Sequence, residues 1–135
     1  YLRRISGPLL DRIDMHIEVP SVEYEAMRRK EKPETSAQVR ARVNAARELQ
    51  KQRFSGTGVS CNAYMTPAMI GQYCLLDQAG ERLMKGAFYR LGLTGRSHDR
   101  ILRMARTIAD LDASPDIQAA HLAEAIQYRS STLLK

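Results

Sequence analysis

The stretch SGPLLDRIDMHIEVP, residues 6–20, holds an arginine between two acids, Arg12 between Asp11 and Asp14. An arginine stays positively charged and presents a rigid planar fork of donors that suits carboxylate or phosphate groups. From the residues alone two interpretations are open. Arg12 forms a salt bridge with one of the flanking aspartates, which is the simpler reading, or it is held for an anion from outside the segment.

The same stretch raises the possibility of a metal site. Asp14, His16 and Glu18 alternate along it, and carboxylate and imidazole groups on one strand face can bind a divalent cation, with Asp11 as a further oxygen donor. The opposite face of that strand would carry the apolar residues Ile13, Met15, Ile17 and Val19. Because any half-buried strand shows this alternation, we expect an ordinary amphipathic strand and no metal.

Two basic stripes are candidates for contacts with phosphate. In TGRSHDRILRMARTIADLD, Arg96, Arg100 and Arg103 share the face opposite the apolar residues, near a helix N-terminus where backbone amides and the dipole favour anions. A second stripe, on a longer upstream helix, consists of Arg40, Arg47 and Lys51. We expect it to bind DNA weakly, since no aromatic side chain is interleaved for base stacking. A solvated helix face is the simpler reading of both stripes.

Nucleotide hydrolysis normally requires a phosphate-binding loop of the form G-x-x-x-x-G-K-[ST]. The chain contains none. GTG at 56–58 lacks the lysine that should follow, and GLTGRS at 92–97 has arginine where the motif needs lysine. This chain alone is therefore not expected to hydrolyse ATP.

Hydrophobic spacing and cap residues predict a mainly helical protein. Ser21 is expected to cap a short helix to about Lys30, and Ser36 a long one to about Phe54. Further helices are predicted from Thr66 with Pro67, from Asp77 to a stop at Gly92, over residues 94–112 and over residues 117–129. The residues expected inward on the last two are Ile101, Leu102, Ala105, Ile108, Ala109, Leu122, Ala125 and Ile126.

Composition limits the class of protein further. Of the 135 residues 44% are apolar but only 6% aromatic, so one core built from Leu, Ile, Met and Ala is expected, which suits packed helices. A net charge of +6 favours polyanionic partners. Cys61 and Cys74 lie outside any C-x-x-C spacing, and neither a leader nor an apolar run of transmembrane length occurs. We therefore expect a cytoplasmic protein with no membrane contact.

Four stretches resemble the C-terminal part of the magnesium chelatase-like AAA+ ATPases, specifically their competence-related branch. They are ISGPLLDRIDMHIEVP, NAYMTP, LTGRSHDRILRMARTIADL and IQAAHLAEAIQYR, and the resemblance covers nearly the whole chain. It implies a helical lid subdomain preceded by one short strand left over from the AAA+ core. The implied domains are 1–20, the arginine-finger loop and last core strand; 21–35, a short helix and linker; and 36–135, the helical lid.

The resemblance also implies roles for three arginines. In these rings the nucleotide sits between subunits, and an arginine equivalent to Arg12 in LLDRID acts as the finger on charge that develops at the γ-phosphate. Arg96 in TGRS is similar to the sensor 2 arginine, which contacts the nucleotide of its own subunit. Arg100, one turn on, is a second candidate. The Walker A and B segments of the family lie upstream of Tyr1, so no cofactor is expected on the fragment.

For the full protein the resemblance implies an ATPase that uses ATP and Mg²⁺ to remodel DNA, by branch migration or a related reaction, during competence and recombination. It also implies a homo-oligomeric, hexameric ring. The alternative class is a non-enzymatic basic helical module that binds DNA directly, which the net charge and the two basic stripes suggest.

Overall fold

A computed structural model of the chain describes residues 6–28 and 32–129. Within these ranges there are seven α-helices, one 3₁₀ turn at Asn62–Tyr64 and no strand. The helices are α1 Gly7–Arg12, α2 Tyr24–Met27, α3 Ser36–Arg53, α4 Pro67–Tyr73, α5 Gln78–Leu91, α6 Gly95–Leu111 and α7 Ala119–Gln127. One isolated parallel bridge joins Leu76 to Ile117. The predicted mainly helical class is confirmed.

Two helices, α4 and α5, begin at the predicted caps Thr66 and Asp77, and α5 ends at the predicted stop Gly92. The side chains of Thr66, Asp77 and Thr94 each accept a hydrogen bond from the backbone amide three residues on. Gly92 ends α5 with φ of 61°, a left-handed conformation that glycine adopts without strain. For α3 the cap is Thr35 in place of Ser36, and it forms a capping box with the residue at the third helical position.

Two short N-terminal helices differ from the prediction. The second, α2, is capped at Glu23 in place of Ser21, and its expected end at Lys30 lies outside the described residues. The first, α1, was not predicted at all. A serine cap at Ser6, followed by Pro8 in the first turn, is a recognised start signal that could have revealed it.

The central element of the bundle is α6, which packs against α7, α3 and α4, while α5 packs against α7. The predicted inward residues of α6 and α7 are buried, except for Ile108, which is half-buried. Phe54, at the end of α3, completes this core and meets Tyr73 edge to face, with ring centroids 5.5 Å apart. The core therefore consists mainly of aliphatic side chains, as the composition predicts.

A buried polar network joins α3 and the 3₁₀ turn to α6. Asp110 has a fully buried side chain and accepts hydrogen bonds from Arg53 at 2.9 and 2.5 Å and from Asn62 at 2.9 Å. Arg106 Nε lies 3.3 Å from the same carboxylate. Burial lowers the pKa of the Arg106 guanidinium below its ordinary value, and the charge of Asp110 opposes that shift. One carboxylate thus balances two guanidinium groups inside the bundle.

The predicted strand over 13–19 does not form within the described chain, because a single extended segment has no neighbouring strand to pair with. The face expected to be buried, with Ile13, Met15, Ile17 and Val19, is exposed instead. His16 is only 7% exposed, whereas Ile17 and Val19 are 58% and 84% exposed. The His16 amide donates to the Tyr128 carbonyl at 2.8 Å. The segment is thus held against the end of α7. The predicted domain boundaries 1–20, 21–35 and 36–135 remain predictions.

None of the described helices combines the length and the apolar character that crossing a bilayer requires.

Replacing Asp110 by alanine tests the buried network. The variant leaves two guanidinium groups unpaired, so the free energy of unfolding should fall by about 3–5 kcal/mol. Urea denaturation followed by circular dichroism measures the loss. Asp116→Ala, at an exposed aspartate, is the matched control and should change stability by less than about 0.5 kcal/mol. Equal effects in the two variants would contradict a stabilising role for the network.

Candidate anion-binding cleft

A cleft of about 690 Å³ is lined by the end of α1 and the N-terminal half of α6. The side chains that line it are Arg12, Arg96, Asp99, Arg100 and Arg103. Four guanidinium groups against one carboxylate give the cleft a strong positive charge. Such a surface suits an anion that carries several charges, and its planar donors suit phosphate oxygens in particular.

Two of the four arginines are occupied by contacts within the protein. Arg100 donates to the Asp11 carbonyl, and its Nε lies 3.3 Å from the Asp14 carboxylate. Arg103 donates to the Met65 carbonyl at 2.8 Å. These side chains therefore fasten neighbouring segments to α6, and the predicted solvated stripe is only partly solvated.

The other two arginines, Arg12 and Arg96, are exposed. Across residues 6–28 and 32–129, neither makes a side-chain hydrogen bond or an ion pair. The salt bridge considered for Arg12 is not formed, since other arginines pair with both flanking aspartates. Arg96 lies in the first turn of α6, where the helix dipole favours an anion. These two side chains have donors available for a ligand.

The loop that carries Arg12 is held by Arg129, to which sequence reasoning assigned no role. Arg129 is only 6% exposed. Its Nη2 lies 3.1 Å from the Asp11 carboxylate and 3.2 Å from the Asp11 carbonyl, and its Nη1 donates to the Ile13 carbonyl. Ser97 donates to the same carboxylate at 3.0 Å. No local signal could have revealed these contacts, because each joins residues at least 86 positions apart in the sequence.

The residues considered for metal binding do not come together. Asp14 pairs with an arginine, and His16 is buried with its Nε2 3.1 Å from the Leu10 carbonyl. No group of three His, Cys, Asp or Glu side chains that could hold a metal ion is found among the described residues. The cleft is itself lined mostly by cations. The side chains described here therefore do not fit Mg²⁺.

The second basic stripe lies away from the cleft. Arg40, Arg47 and Lys51 are exposed on α3, and none of them lines the cleft. The apolar residues Val39 and Val43 on the same helix are exposed as well. Helix α3 thus offers a basic and partly apolar surface.

Both cysteines are free thiols. Burial raises the pKa of the Cys74 thiol to about 11, with smaller and partly opposing effects from nearby charges. Cys61 is half-buried beside the 3₁₀ turn. A thiol with a raised pKa is a poor nucleophile, so Cys74 acts as a small apolar core residue.

Comparison with known proteins identifies the family. Residues 33–129 match the family model described as magnesium chelatase, subunit ChlI C-terminal, and residues 1–27 match the model of magnesium chelatase, subunit ChlI. The chain therefore belongs to the magnesium chelatase family, and the ChlI C-terminal domain makes up most of it.

Individual relatives place it near competence proteins. The chain is 41% identical over 135 residues to competence protein ComM of Haemophilus influenzae, and 40% identical over 131 residues to the uncharacterized protein YifB of Escherichia coli. These matches cover 99% and 96% of this chain but only 26% and 25% of the relatives. The chain thus spans about a quarter of their length. The predicted competence-related branch is confirmed.

Thiol labelling tests the environment of Cys74. With a pKa of about 11, roughly 0.1% of this thiol is ionised at pH 8, so Ellman's reagent should leave it unmodified in the native chain. In a Cys61→Ala variant only Cys74 can react. Unfolding in 6 M guanidinium chloride should make this one thiol per chain reactive. Rapid modification of Cys74 in the native chain would show that its thiol is accessible.

Proposed function

We propose that this chain is the lid of an ATP-hydrolysing ring protein, in which Arg12 and Arg96 contact the phosphates of an ATP bound between two subunits. The observation that carries the proposal is that Arg12 and Arg96, which form no side-chain hydrogen bond or ion pair with any described residue, face one positively charged cleft. Arg12 is the arginine finger. Its charge meets the negative charge that develops on the γ-phosphate during hydrolysis.

The shared cleft changes the role proposed for Arg96. Sequence resemblance assigned this arginine to the nucleotide of its own subunit, whereas a finger acts on the nucleotide of a neighbour. Because Arg12 and Arg96 face the same cleft, we propose that both contact the neighbour's nucleotide. Arg100 is already engaged with Asp11 and Asp14, so it holds the finger loop instead of contacting nucleotide.

The rest of the catalytic site must come from other parts of the parent protein. In this proposal the phosphate-binding loop and the acidic residues for Mg²⁺ belong to the part of the parent protein outside this chain, which spans about a quarter of the relatives' length. Mg²⁺ there would screen the phosphate charge. In this proposal, the positively charged side chains of the cleft bind the phosphates and orient the γ-phosphate.

The parent protein is proposed to remodel DNA in the cytoplasm, by branch migration or a related reaction, as a homohexameric ring. The name of the H. influenzae relative refers to competence, which supports a role in handling incoming DNA. A net charge of +6 supports a polyanionic partner, and free thiols suit a reducing compartment.

A second candidate function is direct DNA binding by the lid. The observation in its favour is the set of exposed basic side chains on the outer part of α3: Arg40, Arg47 and Lys51. Three phosphate contacts without base stacking provide weak binding that does not depend on DNA sequence.

Alanine variants of the two free arginines in the full-length ring test the first proposal. Arg12→Ala should lower ATP hydrolysis by a factor on the order of a thousand while largely sparing nucleotide affinity, since a finger acts mainly on the transition state. Arg96→Ala should weaken both affinity and turnover. Arg82→Ala, at an exposed arginine of α5, is the control and should alter neither.

Mixed rings then show which subunit's nucleotide each arginine contacts. Each variant is combined with subunits whose phosphate-binding loop is inactivated but whose arginines are intact. Arg12→Ala and Arg96→Ala should both regain hydrolysis, because the inactive neighbour supplies the missing guanidinium. If only Arg12→Ala is rescued, Arg96 contacts the nucleotide of its own subunit. Unchanged hydrolysis in unmixed Arg12→Ala rings would refute the finger.

Fluorescence anisotropy with labelled duplex DNA tests the second candidate. Binding by the chain should be weak, independent of sequence and steeply reduced by salt. Replacing Arg40, Arg47 and Lys51 together by alanine should reduce the salt slope by about 3. The matched control, with the same change in charge, replaces Arg82, Lys85 and Arg90 on α5. Tight, sequence-specific binding would instead support a stand-alone DNA-binding module.

A further inference from the structure

We propose that Arg129 is a positioning residue for the arginine finger, so that the lid itself carries Arg12. The inference rests on the proposed role of Arg12. Arg129 lies just after α7, whereas Arg12 ends α1, and the two are linked only through the backbone and side chain of the finger loop.

The contacts of Arg129 lie on both sides of Arg12. One guanidinium nitrogen is 3.2 Å from the Asp11 carbonyl, and the other donates to the Ile13 carbonyl. These carbonyls precede and follow residue 12. Fixing them fixes the direction in which the Arg12 side chain leaves the backbone. A planar guanidinium can hold two such acceptors at once, which the point charge of a lysine does less well.

The Asp11 side chain provides a second attachment to the lid. Its carboxylate is 3.1 Å from Arg129 Nη2 and accepts a hydrogen bond from Ser97 at 3.0 Å. Arg100, one turn along the same helix α6, donates to the Asp11 carbonyl and pairs with Asp14. Contacts from both α6 and the end of α7 therefore hold the loop that carries Arg12.

These contacts link the two free arginines mechanically. The helix that presents Arg96 also presents Ser97 and Arg100, which hold the loop of Arg12. A movement of α6 therefore moves both cations of the cleft together. In a ring, closure of the lid would deliver them to a nucleotide as a unit, and Arg129 keeps their relative placement constant.

The experiment uses Arg129→Ala and Arg129→Lys in the full-length ring. Misplacement of a catalytic group by about 1 Å can reduce the rate on the order of a hundredfold, so Arg129→Ala should lower kcat by roughly that factor with little change in nucleotide affinity. Arg129→Lys should recover only part of the rate. Mixing with subunits inactivated in the phosphate-binding loop should rescue Arg129→Ala, as for Arg12→Ala.

A double variant separates positioning from general stability. If Arg129 acts through Arg12, adding Arg129→Ala to an Arg12→Ala ring should cause no further loss of kcat. The inference would be overturned if Arg129→Ala lowered kcat as much in the Arg12→Ala ring as it does in the ring with Arg12 intact. If Arg12→Ala leaves hydrolysis intact, the proposed finger fails. If Arg12→Ala abolishes hydrolysis while Arg129→Ala stays within about twofold of the unchanged ring, only the positioning role fails.

Hydrogen exchange checks that the variant remains folded. In Arg129→Ala the amides of Ile13 and His16 should exchange faster, while those of residues 101–109 in α6 stay protected. If the α6 amides lose protection as well, Asp11→Asn decides, because it weakens the same attachment and leaves Arg129 in place. A kcat within about twofold of the unchanged ring for Asp11→Asn then overturns the inference.

Discussion

The Asp110 carboxylate lies fully buried between Arg53 and Arg106, and the arrangement of the lid depends on it. Removing a charge of this kind from water is costly unless it is paired, and the pairing works only if α3, the 3₁₀ turn and α6 meet at one place. Asn62 completes the site with hydrogen bonds to Asp110 and to Arg53. The network thus gives α3, whose apolar side chains are largely exposed, a fixed attachment to the bundle. It also fixes the orientation of α6.

From that anchor, α6 divides into two functional parts. Its C-terminal half supplies the buried aliphatic and ionic contacts, while its N-terminal half presents arginines to the cleft. Arg100 and Arg103 are used to hold the backbone of neighbouring segments, which leaves Arg96 available. Together with Arg12 it gives the lid two exposed cations on one positive surface. We infer that a lid of this design senses a nucleotide across a subunit boundary.

Membership of the magnesium chelatase family fits a lid that works only within a larger protein. The chain covers about a quarter of its relatives. Its described residues form a cleft lined mostly by arginines, and no group of three His, Cys, Asp or Glu among them could hold a metal ion. In the proposed ring, one subunit binds the nucleotide and its metal, and the neighbour adds the guanidinium groups. The finger loop is fastened to the lid through Arg129, so the position of the lid and the rate of hydrolysis are coupled in the proposed assembly.

The sequence by itself determined the helical class, the caps at Thr66 and Asp77, the stop at Gly92 and the buried face of α6. These features depend on residues within about four positions of each other, and short-range spacing is visible in the sequence. Tertiary structure alone decided which arginines are free. Arg12 forms no ion pair with Asp11, because Arg129, which lies 118 residues further along the chain, pairs with that aspartate. The same docking buries His16, whose amide donates to the Tyr128 carbonyl. Long charged side chains choose partners by proximity in space, and no local pattern encodes that choice.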